Sequence, residues 1–211
     1  MKQEIQLPLK EKSGEYACEL PTLWFDREYL LDHVNGVALD NWYIFDCGHI
    51  RWTVQEAFEP RLECKNYKFN EFHKELAELF NPPIMPDTML YTSTPIGGTP
   101  PHQDRNRLGI INFPVKGKFN ESSPQTFYSD FDRDTLEYTM HYTESQATNE
   151  LAPWLFSGPK IHGVENIDDA DRTIITTCWR HHTYQQVVDG LKDGSLVNWD
   201  VNEKNKRVKF I

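Results

Sequence analysis

His102 and Asp104 stand two residues apart, directly behind the run Gly97-Gly98-Thr99-Pro100-Pro101. In an extended chain, residues i and i+2 project from the same face, so this spacing aims an imidazole and a carboxylate into one space. The glycines and prolines form a turn and set the pair at the mouth of a strand. Two imidazoles and one carboxylate on one face of a divalent transition metal leave the other coordination positions open. The pair therefore needs a second histidine from elsewhere in the chain. Alone, His-x-Asp is a weak signal, because a chain with 32 aspartates and glutamates produces it by chance.

Eight histidines are available. His33, His49 and His73 precede the β-rich part and read as surface or capping residues. His73-Lys74-Glu75 repeats the His-x-acid spacing, but on a helix i and i+2 diverge, so it reads as a solvated helix face. His141 lies on a strand and could face inward, which makes it a weak candidate. His181 and His182 follow the last strand beside Arg180 and read as a polar rim. His162 differs in context: it sits in Ile161-His162-Gly163-Val164, and ten positions later Arg172 opens the apolar strand Arg172-Thr173-Ile174-Ile175-Thr176.

The elements that must position these residues follow from periodicity. Helices are expected over 26–33, with Asp26 as N-cap and Asn35-Gly36 as stop, and over 69–80, where Phe69, Phe72, Leu76, Leu79 and Phe80 recur at helical spacing before Asn81-Pro82-Pro83. A closing helix over 184–191 places Tyr184, Val187, Val188 and Leu191 on one face. Strands are expected over 41–47, 89–93, 108–115, 126–129, 136–142, 154–156, 161–165 and 172–179. Residues 1–20 read as an edge strand or extended arm, and 48–64 as ambiguous. The whole reads as one domain, mainly β with flanking helices. Residues 1–87 form a helical or mixed support, 88–180 an antiparallel barrel or jelly roll, and 181–211 a helix and tail.

Composition narrows the function classes. A formal charge of −10 repels nucleic acid and anionic membrane, and the short basic runs at 104–107 and 204–207 lack interleaved stacking aromatics. No run of about 18 apolar residues exists to span a membrane. The first residues lack the apolar core of a signal peptide, and the four cysteines (Cys18, Cys47, Cys64 and Cys178) show no CxxC spacing. They read as reduced thiols in a cytoplasmic protein.

Taken in order on expected strands, His102-x-Asp104, His162 and Arg172 resemble the motif of the Fe(II)- and 2-oxoglutarate-dependent dioxygenases. The resemblance covers about residues 88–180. It implies a double-stranded β-helix of cupin-like type, with Fe(II) held by His102, Asp104 and His162. It also implies O₂ and 2-oxoglutarate as cosubstrates, with Arg172 as a planar fork for the distal carboxylate. Tyr91 falls where the family often has a tyrosine donating to that carboxylate. Ile174 departs from the usual Ser or Thr two residues after the arginine, which leaves the second donor to Tyr91 or Thr176. Asn112 interrupts an apolar strand and, if buried, needs a polar partner such as the cosubstrate or substrate. The implied reaction hydroxylates an amino-acid or peptide-like substrate and releases succinate and CO₂.

The string Gly-Gly-Thr-Pro-Pro-His with Asn106-Arg107-Leu108 is also similar to the aspartyl/asparaginyl β-hydroxylase branch. That branch typically lacks the carboxylate ligand that Asp104 provides here. Asp104 likewise argues against a halogenase, which vacates that position for halide. Arg105 and Arg107 read either as exposed loop arginines paired with nearby acids or as receivers of a substrate carboxylate. Three other readings stay open: a cupin-type metal enzyme that does not use 2-oxoglutarate, a non-enzymatic jelly-roll binding module, and a nucleic-acid demethylase, which would need a basic groove.

Overall fold

The structure is a computed structural model. It describes residues 3–9, 15–36, 43–46, 51–56, 70–84, 90–94, 99–104, 106–117, 125–143, 152–165 and 172–211, with some strand residues described by backbone alone. The expected strand at 41–47 is found as β3 (Tyr43–Asp46), and the ambiguous stretch after it contains β4 (Arg51–Glu56). Within the expected arm lies β1 (Ala17–Glu19), followed by β2 (Leu23–Phe25). The core strands are β5 (Leu90–Thr94), β6 (Thr99–His102), β7 (Gly109–Lys116), β8 (Gln125–Asp132), β9 (Glu137–Tyr142), β10 (Trp154–Ser157), β11 (Ile161–Glu165) and β12 (Arg172–Trp179). A last strand, β13 (Val208–Phe210), pairs with β2.

All pairings among the described strands are antiparallel, in two main sheets. The larger has the order β1-β10-β7-β12-β5-β4-β3 and the smaller β6-β11-β8-β9. From β5 onward the chain alternates between them: β5, β7, β10 and β12 lie in the larger sheet, and β6, β8, β9 and β11 in the smaller. The first third of the chain thus supplies both edges of the larger sheet as well as helices.

Side-chain parity explains the layering. On β7, Ile111, Phe113 and Val115 turn to one face and join the main apolar cluster, with Ile175 and Trp179 of β12 and Leu155 of β10. That face receives α1 (Arg27–Asn35), α2 (Glu71–Leu79) and α3 (Tyr184–Lys192) through Leu30, Val34, Phe72, Leu76, Val187, Val188 and Leu191. Phe113 is met edge-on by Phe25 and Phe72 at ring distances of 5.4 and 5.5 Å, and Phe80 meets Trp179 at 4.9 Å. The other face of the same strands carries Ile110, Phe156 and Cys178, packed with Ala17 against Tyr128 of the smaller sheet. Because both faces of β7 are covered, its sequence reads as a nearly continuous apolar run. The space between the two sheets is where the site lies.

Local chemistry sets the element ends. Asp26 accepts from the Tyr29 N–H, Asn70 accepts from the His73 N–H, and Thr183 with Gln186 forms a capping box on α3. Leu136, expected to open a strand, instead sits in the β8–β9 turn with φ 58° and is 72% exposed. Asp132 Oδ1 accepts from the N–H groups of Asp134 and Thr135 and closes β8, which runs three residues past its expected end at 129. A short helix α4 (Trp199–Asn202) leads into the tail. There Glu75 accepts from the backbone N–H groups of Lys206, Arg207 and Val208, while Arg207 pairs with Asp26. The backbone of this run and the Arg207 side chain are therefore engaged in holding the fold. No helix among the described residues is long and apolar enough to cross a membrane.

His73 corrects the reading of a solvated helix face: it is fully buried. It stands three and four residues before Leu76 and Ala77, so it falls on the margin of their buried stripe. Its Nδ1 donates to Asn70 Oδ1 at 2.6 Å, and its ring meets those of Phe72 and His33 at 5.6 and 6.2 Å. Burial, and then the neighbouring His33, push its pKa down from 6.5 to about 3. An unfolded chain binds this proton below pH 6.5 and the folded chain does not. Stability is therefore full above pH 6.5 and falls as the pH drops toward 3, with His73 alone contributing about 1.4 kcal/mol per unit. Urea unfolding between pH 7 and 4 should show this slope, and His73→Leu should flatten it.

Candidate metal centre

Strands β6 and β11 pair with His102 directly opposite His162. Directly opposed residues in an antiparallel pair project from the same face, so the register brings the two imidazoles together. Their rings stand 4.4 Å apart at 54°. Asp104, two residues beyond His102, places Oδ1 3.9 Å from His102 Nε2 and Oδ2 3.8 Å from His162 Nε2. One ligand atom from each of the three residues lies within 4.8 Å of the others, close enough to serve a single metal ion.

The surroundings prepare these groups for a metal. His162 is buried, and its ring packs against Phe156 at 5.0 Å. Its Nδ1 lies 2.8 Å from the Lys160 carbonyl. A carbonyl only accepts, so Nδ1 carries the proton and Nε2 presents its lone pair to the site. Burial, and next the proximity of His102, lower the His162 pKa from 6.5 to about 4, which keeps the ring in its ligand form at neutral pH.

Asp104 is held by the turn that follows β10. Its N–H donates to the Gly158 carbonyl at 2.8 Å, and the Gln103 side chain donates to the Pro159 carbonyl at 2.8 Å. Gly158 also donates its own N–H to the Leu108 carbonyl at 3.2 Å. The contact is so close that a Cβ on Gly158 would lie 1.8 Å from the Arg107 carbonyl oxygen. Only glycine leaves room for this approach.

Arg107 corrects the reading of an exposed loop arginine. Its guanidinium is mostly covered and bridges two elements: Nη1 lies 3.4 Å from Asp104 Oδ2, and Nη2 donates to Thr176 Oγ1 at 2.8 Å. Thr176, on β12, is buried and pairs in register with Asn112 of β7. Asn112 is half-buried, and its Oδ1 is shielded from solvent without a hydrogen-bond partner among the described residues. By parity both share the inner face with Cys178 and Ile110. A polar pair thus lies on the larger sheet across from the histidines of the smaller one. Arg107 would act on a metal held by the triad through its pairing with Asp104. Arg107→Ala should lower Mn(II) affinity by roughly 10–100-fold, the usual cost of losing such an outer partner, when measured by calorimetric titration. Arg107→Lys, a point charge that cannot span both partners, should recover only part of this loss.

The remaining expected residues are placed as follows. Arg172 opens β12 opposite Thr94, and Tyr91 stands on β5 opposite Ile175; the side chains of both lie outside the described residues. His141 faces inward as expected but joins Tyr128, not the triad. His33 is half-buried beside His73, Arg180 and His181 are exposed at the rim, and His182 is half-exposed. Cys18 and Cys178 are buried free thiols, and burial pushes Cys18 up to about 12. His49, Arg105, Cys47 and Cys64 lie outside the described residues.

No family model matches the chain, and no curated protein sequence matches it. Among solved structures it is similar to the Drosophila melanogaster CENP-C bound to CAL1, with 8% identity and a TM-score of 0.34 over 72% of this chain and 93% of that one. It is also similar to AviO1 from Streptomyces viridochromogenes, with 13% identity and a TM-score of 0.44 over 79% of this chain and 90% of that one. Likenesses this distant carry no argument about the site.

Proposed function

We propose that the chain is an Fe(II)- and 2-oxoglutarate-dependent oxygenase built on a double-stranded β-helix, acting in the cytoplasm on an amino-acid or peptide-like substrate. The alternation of β5 to β12 between two facing antiparallel sheets supports that architecture. The observation that carries the function is the convergence of His102, His162 and Asp104, two imidazoles and one carboxylate with no fourth protein donor among the described residues. This donor set suits non-haem Fe(II) with open positions. When bound, the metal with its cosubstrate and O₂ would supply the oxidising power, and succinate and CO₂ would be released.

The chain's own residues would hold and shield the reactants. His102, Asp104 and His162 would bind the metal, and Arg107 would orient Asp104. The shielded Asn112 oxygen and the Thr176 hydroxyl support a polar ligand on the inner face beside the metal. Arg172 stands four positions before Thr176 on the same strand and would receive the distal carboxylate of 2-oxoglutarate, with Tyr91 on the neighbouring strand as a further donor. The unpaired Cys18 and Cys178 support a reducing compartment, and the charge of −10 supports a small-molecule or peptide substrate over nucleic acid.

Anaerobic addition of Fe(II) and 2-oxoglutarate should produce the weak visible charge-transfer band of the chelated cosubstrate, followed in air by succinate release. Arg172→Ala should abolish saturation by 2-oxoglutarate while leaving Mn(II) binding intact. Unchanged turnover in that variant would favour a cupin-type enzyme that does without the cosubstrate. Absence of metal binding would leave an inert binding module.

A further inference from the structure

The register of the smaller sheet sets His102, His162, Tyr128 and His141 side by side, one from each of its four strands. The first two belong to the metal centre. The other two are stacked, with ring centroids 4.8 Å apart and planes 10° from parallel. Lys160, two residues before His162, and Asp130, two residues after Tyr128, share this face one step nearer its end. Asp130 is approached from two sides: His141 Nε2 lies 3.3 Å from its Oδ2, and Lys160 Nζ lies 3.7 Å from its Oδ1. The Lys160 ammonium also sits 3.7 Å from the centre of the Tyr16 ring, and Tyr16 meets Tyr128 at 5.7 Å. Lys160 and Asp130 are a little over a third exposed and His141 about a fifth, so ligands can reach the charged groups while Tyr128 stays buried behind them.

An exposed ion pair at this spacing adds little to stability. Both contacts to Asp130 are longer than the roughly 2.7–2.9 Å of a closed charge-assisted bond, so carboxylate and ammonium are held near each other without being spent on each other. We propose that Asp130, Lys160 and His141, walled by Tyr16 and Tyr128, bind the head group of a free α-amino acid, the substrate class for the neighbouring metal centre. This rests on the oxygenase reading for the reaction, but not for the binding. The ligand ammonium faces Asp130, and its carboxylate faces Lys160 and His141. Charge selects the zwitterion: one fixed anion and one fixed cation are matched by a ligand carrying one of each. A monoamine or a monocarboxylate would leave one protein charge uncompensated. Distance limits the side chain. Two residues along a strand span about 7 Å, so the side chain must be long enough to reach from the head-group site toward the metal centre.

The test is calorimetric titration of the full chain with L-leucine and L-lysine, each with and without Mn(II). The half-ligands 4-methylpentanoate and 3-methylbutylamine serve as controls. At least one amino acid should saturate, and each half-ligand should bind at least about tenfold more weakly, consistent with the loss of a matched charge. Asp130→Asn and Lys160→Met should each weaken amino-acid binding by a similar factor while circular dichroism and Mn(II) affinity stay as in the parent. No saturation by either amino acid, half-ligands binding as well as the amino acid, or variants binding like the parent would each overturn the proposal. Amino-acid binding without any Mn(II) binding would uphold it and sink the oxygenase reading. Mn(II) and 2-oxoglutarate binding without the amino acid would do the reverse.

Discussion

Replacing His162 by alanine should weaken Mn(II) binding by more than about 100-fold and abolish the proposed succinate formation. Losing an outer partner alone costs roughly 10–100-fold, and His162 is itself one of only three donors, so its removal must cost more. The ring is buried, and its Nδ1–H is committed to the Lys160 carbonyl, so no neighbouring side chain can take its place without moving β11. The fold should survive, because the ring contacts Phe156 at the edge of the smaller apolar cluster, far from Phe72 and Phe113. A stability loss of about 1–3 kcal/mol is expected on melting. The informative control is His141→Ala on the same row of the same sheet: it should lose the stack on Tyr128 and keep the metal. Mn(II) affinity in His162→Ala within tenfold of the parent would remove the triad from consideration.

Gly158→Ala should act on the same centre without touching a donor atom. The added methyl would lie 1.8 Å from the Arg107 carbonyl oxygen and 2.9 Å from Ile110 Cδ1, and the nearer atom is backbone, which cannot swing aside. The 103–107 loop must back away, and it carries both Asp104 and Arg107. A cost of at least about 3 kcal/mol is expected, the upper range for overpacking, which lowers Tm by roughly 6–12 °C in a chain of this size. Because the bond from the Asp104 N–H to the Gly158 carbonyl is strained in the same movement, Mn(II) affinity should fall with stability. A variant with parental Tm and parental metal affinity would show that this turn does not set the position of Asp104.

How much of this was legible in the residues depends on whether the signal is local. β11 and β12 fall where their apolar runs and flanking turns put them, residue for residue, and α2 lies within the expected 69–80. The grouping of His102, Asp104 and His162 was legible because the first two share a strand parity and the third has a distinctive setting before Arg172. Tertiary contacts left no such trace. Arg107 reaches Thr176 across 69 positions, and nothing in Arg-Asn-Arg distinguishes a half-buried, bridging arginine from an exposed one. His73 shows the same limit on a helix, since periodicity locates the middle of an apolar stripe and not its width. β4 was hidden by composition: Arg-Trp-Thr-Val-Gln-Glu alternates too weakly to declare a face, and its strand character comes from pairing with β3 and β5.

Strand β6 is Thr-Pro-Pro-His, so two of its four residues have no N–H to give a ladder. It lies at the border of the smaller sheet, bonded on one side only among the described strands, and its register with β11 slips between His162 and Val164. The strand that carries half of the imidazole pair therefore has a weak backbone hold. An ion shared by His102 and His162 would lace this border where hydrogen bonds are missing, and reciprocity then makes loading and strand closure one equilibrium. Anything that frays β6 would loosen such an ion, and a chelator would unbutton the sheet edge along with the site.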